Sequence, residues 1–248
     1  MSDLGNESDL LKPPRYWFFN GARHVASLPA FILIMSFIGF GALTAEAGLT
    51  VWQAMFLGLS TWALPSAVVV AGAIINDVPF YVTVIAVTLA SIRLLPMTMA
   101  LVPVLKSDKT KLAPLFLSAY FMAVTSWVFA MNKLPEIPRA NRLSFFLGFA
   151  ITLATTVTIV LGIAHSLVPN LPAPIAAALI FLTPIYFLLS MTQAARIAPE
   201  YWAIGFGLVL GPIFHLITPD TDLLWCGLIG GTLSYGIGRF VERRKATL

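Results

Sequence analysis

Long apolar stretches separated by short polar connections dominate the order of residues along this chain. Between Leu143 and Ala195, for example, there is no Asp, Glu, Lys or Arg. A transmembrane helix needs about 20 mainly apolar residues, and stretches of that kind recur along the chain. The hydrophobic pattern therefore predicts eight membrane-embedded segments, at residues 28–44, 52–75, 79–105, 112–131, 143–167, 173–191, 201–218 and 223–240.

The composition agrees with a fold that is embedded in lipid. Only 10% of the residues are charged and 58% are hydrophobic, whereas a soluble domain carries about 25% charged residues. The apolar stretches are apolar on all sides and about twice as long as the alternating strands of a transmembrane barrel. We therefore predict an all-α, polytopic transmembrane bundle that forms a single domain over residues 27–240.

Basic residues at both ends of the chain predict that both ends are cytoplasmic. Residues 1–26 are interpreted as a cytoplasmic or interfacial segment with an aromatic run at 16–19, and residues 241–248 as a basic cytoplasmic tail. Two ends on one side require an even number of crossings. There are eight if every segment spans, or six if segments 52–75 and 112–131 are re-entrant. Because the cations lie beside span ends, the net charge of +4 does not indicate nucleic-acid binding.

Four of the prolines in the predicted segments are candidate helix breaks: Pro65, Pro96, Pro184 and Pro212. Proline removes a backbone hydrogen bond, so we expect broken helices at these points. The prolines fall in consecutive segments of each half, which favours an internal repeat of 28–131 with 143–240, although coincidence is an equal alternative. A half-helix N-terminus can hold a carboxylate and freed carbonyls can hold an ammonium group, so the breaks favour a zwitterionic ligand.

Three polar side chains inside the apolar segments need an explanation. Arg93 is the only charged residue between Val78 and Leu105, and an arginine in hydrocarbon is costly. Two interpretations stay open for it: a carboxylate clamp in a substrate pathway, or a structural pairing with a carboxylate or with backbone carbonyls. His165 and His215 are interpreted as hydrogen-bonded structural histidines.

Glycines group on three of the segments. Gly39 and Gly41, and also the set Gly205, Gly207 and Gly211, are predicted to form close-packed surfaces. The last segment carries a further set that would suit a partner helix: Gly227, Gly230, Gly231, Gly236 and Gly238.

Several classes of chemistry have no sequence support. The chain lacks the phosphate-binding G-x-x-x-x-G-K-[ST] loop, the H-E-x-x-H zinc motif and the G-x-S-x-G nucleophile motif. Its single cysteine, Cys226, offers no cluster for a metal. We therefore expect a protein that is not an enzyme and that has no cofactor and no metal.

The first predicted segment and the turn after it resemble a known family. Residues 39–54 read G-F-G-A-L-T-A-E-A-G-L-T-V-W-Q-A and are similar to the opening of the AzlC-type branched-chain amino acid permeases. That family usually continues with A-G-x-S-Q-F, where residues 63–68 keep only the alanine and the serine, Ser66, beside Pro65.

Three later family elements also appear in order. The element [ND]-x-R-H-x-L-Y-G falls on residues 91–98 and keeps Arg93, while T-D-E-x-F falls on residues 125–129. The second of these keeps Thr125 and Phe129 but has Ser126 and Trp127 in place of the two acids. An L-P-A-L-F element is similar to residues 183–187, which include Pro184 and Tyr186. The resemblance extends over about residues 27–240.

The resemblance implies a multi-pass protein of the bacterial inner membrane. Its implied activity is secondary transport, the export of branched-chain or similar small apolar amino acids with a small AzlD-like membrane subunit. A passive channel and a non-transporting scaffold subunit are the alternatives, and self-association is left open. The residues that we place in the substrate pathway are Pro65, Ser66, Arg93, Thr125, Ser126, Trp127, Pro184 and Tyr186.

Overall fold

The computed structural model describes residues 12–107, 110–195, 198–218 and 221–245. Within these ranges the chain forms twelve α-helices and no β-strand, which confirms the predicted all-α class. The helices are α1 Pro14–Arg23, α2 Leu28–Glu46, α3 Val51–Ser60, α4 Leu64–Ile75, α5 Phe80–Ser91, α6 Leu94–Leu105, α7 Leu112–Tyr120, α8 Val124–Lys133, α9 Arg142–Leu167, α10 Ala173–Ala194, α11 Ala198–Ile217 and α12 Asp222–Lys245.

The long helix α9 lies at the centre of the packing. It contacts α1, α2 and α3 along much of its length. Its fully buried side chains recur every three or four residues, at Phe146, Phe149, Leu153, Val157 and Leu161, which places them on one helical face. Phe129 of α8 stacks on Phe149 with ring centroids 3.9 Å apart. The core is therefore built around α9.

Helix α1 crosses α9 at very short range. A Cβ atom added to Gly21 of α1 would lie 2.0 Å from the Phe145 carbonyl oxygen. A Cβ atom added to Gly148 of α9 would lie 2.0 Å from the Phe18 carbonyl oxygen. Small residues allow membrane helices to approach in this way, since packing rather than water exclusion drives their association. The segment predicted as interfacial is thus packed on the central helix, and its position relative to a membrane stays a prediction.

Glycines also explain how α2 fits between its neighbours. A Cβ atom added to Gly39 would lie 2.4 Å from Thr183 Oγ1 of α10, and one added to Gly41 would lie 2.7 Å from Ala164 Cβ of α9. This confirms the close-packed surface predicted for the pair. After the helix, Gly48 adopts a φ of +70°, the left-handed conformation that glycine takes most readily at a helix C-terminus.

The prolines do not all break their helices, and half of the prediction is wrong. Pro65 and Pro96 lie in the first turns of α4 and α6, where the missing N–H has no intrahelical partner to lose. Pro184 and Pro212 instead lie inside the continuous helices α10 and α11. Helices in membranes tolerate internal proline because neighbouring groups satisfy the freed carbonyl. The proline positions therefore no longer support an internal repeat of residues 28–131 and 143–240, and the repeat stays a prediction.

Three predicted segments are each divided into two helices. Segment 52–75 becomes α3 and α4, segment 79–105 becomes α5 and α6, and segment 112–131 becomes α7 and α8. In the part of the chain that the structure describes, two helical stretches are long and apolar enough to cross a membrane, Arg139–Asn170 and Ala198–Ile217. Two further pairs of helices are bent by 65° and 42° at a short break. The number of candidate spans rises to four if each of these pairs counts as one span. Whether the chain crosses eight or six times stays a prediction.

The glycines of the last two helices differ from those of α2. A Cβ atom added to Gly205, Gly207 or Gly211 of α11 would meet no described atom within 4 Å. The prediction that these three form a close-packed surface is therefore wrong within the described residues. On α12, Gly238 contacts Pro199 of α11, whereas Gly231 and Gly236 face open space.

Candidate functional site

The first divided segment breaks just before Pro65. Residues 61–63 separate α3 from α4, and Ala63 has an extended backbone with φ −120° and ψ 101°. Trp62 is buried within this break, and Ser66 in the first turn of α4 has no exposed surface. Local sequence accounts for the start of α4, because proline fixes the helical φ and needs no N–H partner at that position.

Ser66 connects α4 to the end of α5. The hydroxyl oxygens of Ser66 and Ser91 lie 2.8 Å apart, so one hydroxyl donates to the other. Ser91 stands where the resembled family has Asn or Asp, two residues before Arg93. The two motif positions that looked separate along the chain are therefore in direct contact.

We expect Ser66 and Ser91 to be coupled by about 0.5–1 kcal/mol. A double-mutant cycle with Ser66→Ala and Ser91→Ala measures this coupling as unfolding free energy in mixed micelles. Thr88→Ala is the matched control, because the Thr88 hydroxyl donates to the Val84 carbonyl within its own helix. Additive losses for the Ser66 and Ser91 variants would contradict the hydrogen bond.

Arg93 occupies the bend between α5 and α6. It is the residue before the first turn of α6, with φ −60° and ψ −23°, and the two helix axes differ in direction by 42°. Its side chain is half-buried. A cation next to a helix N-terminus is electrostatically unfavourable, so the position of Arg93 requires compensation by an anionic or carbonyl group.

The second break separates α7 from α8 at residues 121–123 and contains neither proline nor glycine. Ser126 stabilises it. The Ala123 N–H donates to Ser126 Oγ over 2.8 Å, and this hydroxyl lies 3.0 Å from the Ala123 carbonyl and 3.1 Å from the Phe121 carbonyl. Ser126 is fully buried, so its hydroxyl satisfies backbone groups that the break leaves exposed.

Thr125 and Trp127 flank this serine. Thr125 is half-buried. Trp127 packs against the core, and its buried indole Nε1–H has no hydrogen-bond partner among the described residues. Their place in a substrate pathway stays a prediction.

The two breaks lie against each other. The Trp62 and Phe121 rings meet edge to face with centroids 5.9 Å apart, and the Tyr120 hydroxyl donates to the Leu59 carbonyl. Our sequence reasoning missed this pairing. A signal for it exists, because Ala63-x-x-Ser66 recurs as Ala123-x-x-Ser126 at corresponding places in two helix–break–helix units.

A cavity of about 630 Å³ adjoins the first unit. It lies between α2, α4, α10 and α11, and its walls are almost entirely apolar. Pro184 is therefore brought close to α4 although its own helix is continuous. The lining residues are Leu43, Val68, Ile180, Phe181, Thr183, Pro184, Leu188, Met191, Ala203, Ile204, Gly207 and Leu208.

The polar group on this wall is Thr183. Its side chain is buried, and Thr183 Oγ1 has no hydrogen-bond partner among the described residues. The side chain of Tyr186, two residues beyond Pro184, lies outside the described part of the structure. The described residues hold no group of three or more His, Cys, Asp or Glu side chains that could bind a metal ion.

Comparison with known proteins gives one match. Residues 29–168 match the family model described as AzlC protein. This range runs from α2 to the end of α9 and includes both helix–break–helix units, with Ser66, Arg93 and Ser126. It ends before Pro184. No curated protein and no solved structure matches the chain.

Proposed function

The chain belongs to the AzlC family, and from this premise we propose that it exports branched-chain or similar small apolar amino acids. The family membership makes it a membrane protein related to transport, and the family is one of permeases rather than enzymes. The proposal adds the substrate class, the outward direction, a small AzlD-like partner subunit and the bacterial inner membrane as the location.

The cavity between α4 and α10 is the observation that carries this proposal. Its volume of about 630 Å³ falls within the range of about 300–1,000 Å³ that is typical of small-molecule sites. Aliphatic walls favour an aliphatic side chain over a polar one, because an unpaired polar group would be buried there without a partner. Valine, leucine, isoleucine and methionine side chains meet this requirement.

A helix N-terminus that suits the carboxylate of a substrate lies next to the cavity. Val68, which lines the cavity, lies one turn into α4, so the N-terminus of that helix is close by. Helix N-termini carry partial positive charge and favour carboxylates. In the proposed arrangement the carboxylate approaches the Pro65 break, with Arg93 contributing charge, and the apolar side chain enters the cavity.

The partner subunit is part of the same proposal. Helix α11 has no buried residue among those described, and a Cβ atom added to Gly205 or Gly211 would meet no described atom within 4 Å. Small residues on an uncovered helix allow a second membrane helix to approach closely. These features support a covering helix, for which a small membrane subunit is the proposed source.

Counterflow of radiolabelled leucine in proteoliposomes tests the proposal, with the chain and its small subunit reconstituted together. We expect saturable exchange of leucine for leucine. Val68→Trp should lower leucine counterflow relative to alanine counterflow about tenfold, because a large ring narrows an apolar pocket. Val69→Trp is the matched control, since it places the same ring about 100° around the helix.

Three outcomes of this experiment separate the alternatives. No amino-acid counterflow with the subunit present would remove the proposal. Flux that rises linearly with concentration would identify a passive channel. Binding of the subunit without movement of any solute would identify a scaffold.

A further inference from the structure

A buried polar contact joins α2 to α9. His165 Nδ1 of α9 lies 3.0 Å from Thr44 Oγ1 of α2, and both side chains are buried. The same hydroxyl lies 2.9 Å from the Gly41 carbonyl oxygen. The Nδ1 nitrogen of His165 therefore has a polar partner on the neighbouring helix.

The turn that follows α2 brings the backbone close to the contact between Thr44 and His165. Gly48, with its left-handed backbone, lets the chain reverse so that the Leu49 N–H donates to the Thr44 carbonyl over 3.2 Å. This reversal brings Leu49 back over the end of α2. On the other side, the missing side chain of Gly41 admits the backbone of His165, since an added Cβ would lie 2.9 Å from the His165 nitrogen.

Two helix C-termini meet at His165. Helix α9 ends at Leu167, two residues after the histidine, and α2 ends at Glu46, two residues after Thr44. Each C-terminus carries partial negative charge that stabilises a nearby cation. Burial opposes a charged imidazole, and the two helix ends act in the opposite direction.

Few ionisable groups surround the imidazole. Glu46 is the titratable residue of α2, and it is exposed. Helix α3, the residues Val168–Asn170 that follow α9, and α10 contribute no Asp, Glu, Lys, Arg or His in the described residues. A charge on His165 would therefore face two helix C-termini.

We propose that the His165 imidazole is the proton-binding site that couples transport to a proton gradient. The inference rests on the proposed function for its role in coupling, whereas proton binding itself can be measured without transport. In the neutral ring, Nε2 carries the proton and Nδ1 accepts from the Thr44 hydroxyl. A proton from water then binds Nδ1, whose N–H donates to Thr44 Oγ1 while the Thr44 hydroxyl turns to the Gly41 carbonyl.

The contact between Nδ1 and the Thr44 hydroxyl has a donor and an acceptor in both protonation states. One hydroxyl rotation is sufficient, and no heavy atom has to leave hydrogen-bond distance. The released proton returns to water from Nδ1 by the reverse steps. Because Thr44 and His165 lie on different helices, proton binding changes the strength of the contact between α2 and α9. Protonation thereby shifts the balance between arrangements of these two helices during transport.

Direct observation of the proton is the first test. The chain has three histidines, so ¹⁵N-histidine spectra of the complex in nanodiscs are resolvable, and His165→Gln assigns the signal. We expect the His165 ring to gain a proton between about pH 5 and pH 8. Thr44→Val, which removes the hydroxyl, should move the midpoint by about one pH unit, and Thr44→Ser should restore it. A ring that stays neutral over this range would overturn the proposal.

Transport supplies the second test. An imposed pH gradient should drive leucine accumulation by the wild-type complex, and His165→Gln should lower it more than about tenfold. Counterflow without a gradient should remain within about twofold in the same variant, because counterflow needs no net proton movement. His215→Gln, at an exposed histidine, is the control and should keep both activities.

The two tests separate the possible failures. Gradient-driven accumulation that survives in His165→Gln would overturn the coupling role. Absence of leucine counterflow in the wild-type complex would remove the proposed function, while the spectra would still decide whether His165 binds a proton.

Discussion

Gly148→Ala is expected to lower the unfolding free energy by about 3 kcal/mol, the upper end of the usual overpacking range. The added methyl carbon would lie 2.0 Å from the Phe18 carbonyl oxygen and 2.7 Å from the Phe18 carbonyl carbon. These atoms belong to the backbone of α1, so no side-chain rotation can relieve the clash. The two helices have to separate, and their other contacts loosen with them. Unfolding in mixed micelles, read by tryptophan fluorescence, measures the loss.

Gly21→Ala tests the same crossing from the other helix. Its added carbon would meet the Phe145 carbonyl oxygen at 2.0 Å, so we expect a loss of similar size. Because both substitutions push the same two helices apart, the double variant should lose less than the sum of the two single losses. Additive losses would indicate that the two glycines act at independent contacts.

Gly72→Ala and Gly231→Ala are the matched controls for this pair. An added Cβ meets no described atom within 4 Å at either position, and each glycine lies inside a helix. We expect these variants to gain about 0.5–1 kcal/mol from the better helix propensity of alanine. If Gly148→Ala behaved like the controls, the close crossing of α1 and α9 would be incorrect.

Hydropathy was sufficient to predict the helical class but not the continuity of the helices. Each of the eight predicted stretches consists mainly of helix, because helix formation satisfies the backbone of an apolar run in lipid. The break at residues 121–123 has no proline or glycine. Its stability comes from Ser126 and from contact with the other break, which are tertiary features that a local pattern does not contain.

Proline gave correct information at Pro65 and misleading information at Pro184. The difference lies in position within the helix. In the first turn of α4 the missing N–H costs nothing, and a nearby break is natural. Inside α10 the cost depends on what surrounds the freed carbonyl, and the sequence alone does not specify those neighbours.

The elements of the candidate site were predicted one at a time, but their contacts were not. Ser66 was predicted from a family motif and Arg93 also from its charge inside an apolar segment, whereas the bond from Ser66 to Ser91 joins two helices. The cavity requires four helices to be placed. Likewise, the contact between Thr44 and His165 spans more than a hundred residues. Long-range pairing of this kind leaves no periodic trace in a single sequence.

Arg93→Ala is expected to lower leucine counterflow about 10–100-fold, which corresponds to losing one hydrogen bond to a charged group. The reason lies in its placement, since Arg93 precedes the first turn of α6 within an apolar segment. A guanidinium there is disfavoured by the positive end of the helix, and in the proposed arrangement it binds the substrate carboxylate. Counterflow rates over a range of leucine concentrations measure the effect, and Arg93→Lys should retain part of the activity.

Leucinamide distinguishes a clamp from a structural arginine, because it lacks the carboxylate but keeps the apolar side chain and the amine. If Arg93 holds the carboxylate, the wild-type complex should transport leucinamide poorly, and Arg93→Ala should lower its flux little further. Equal losses for leucine and leucinamide would mean that Arg93 acts on the protein rather than on the substrate. Transport that survives in Arg93→Ala together with a lower unfolding free energy would assign Arg93 to the stability of the bend between α5 and α6.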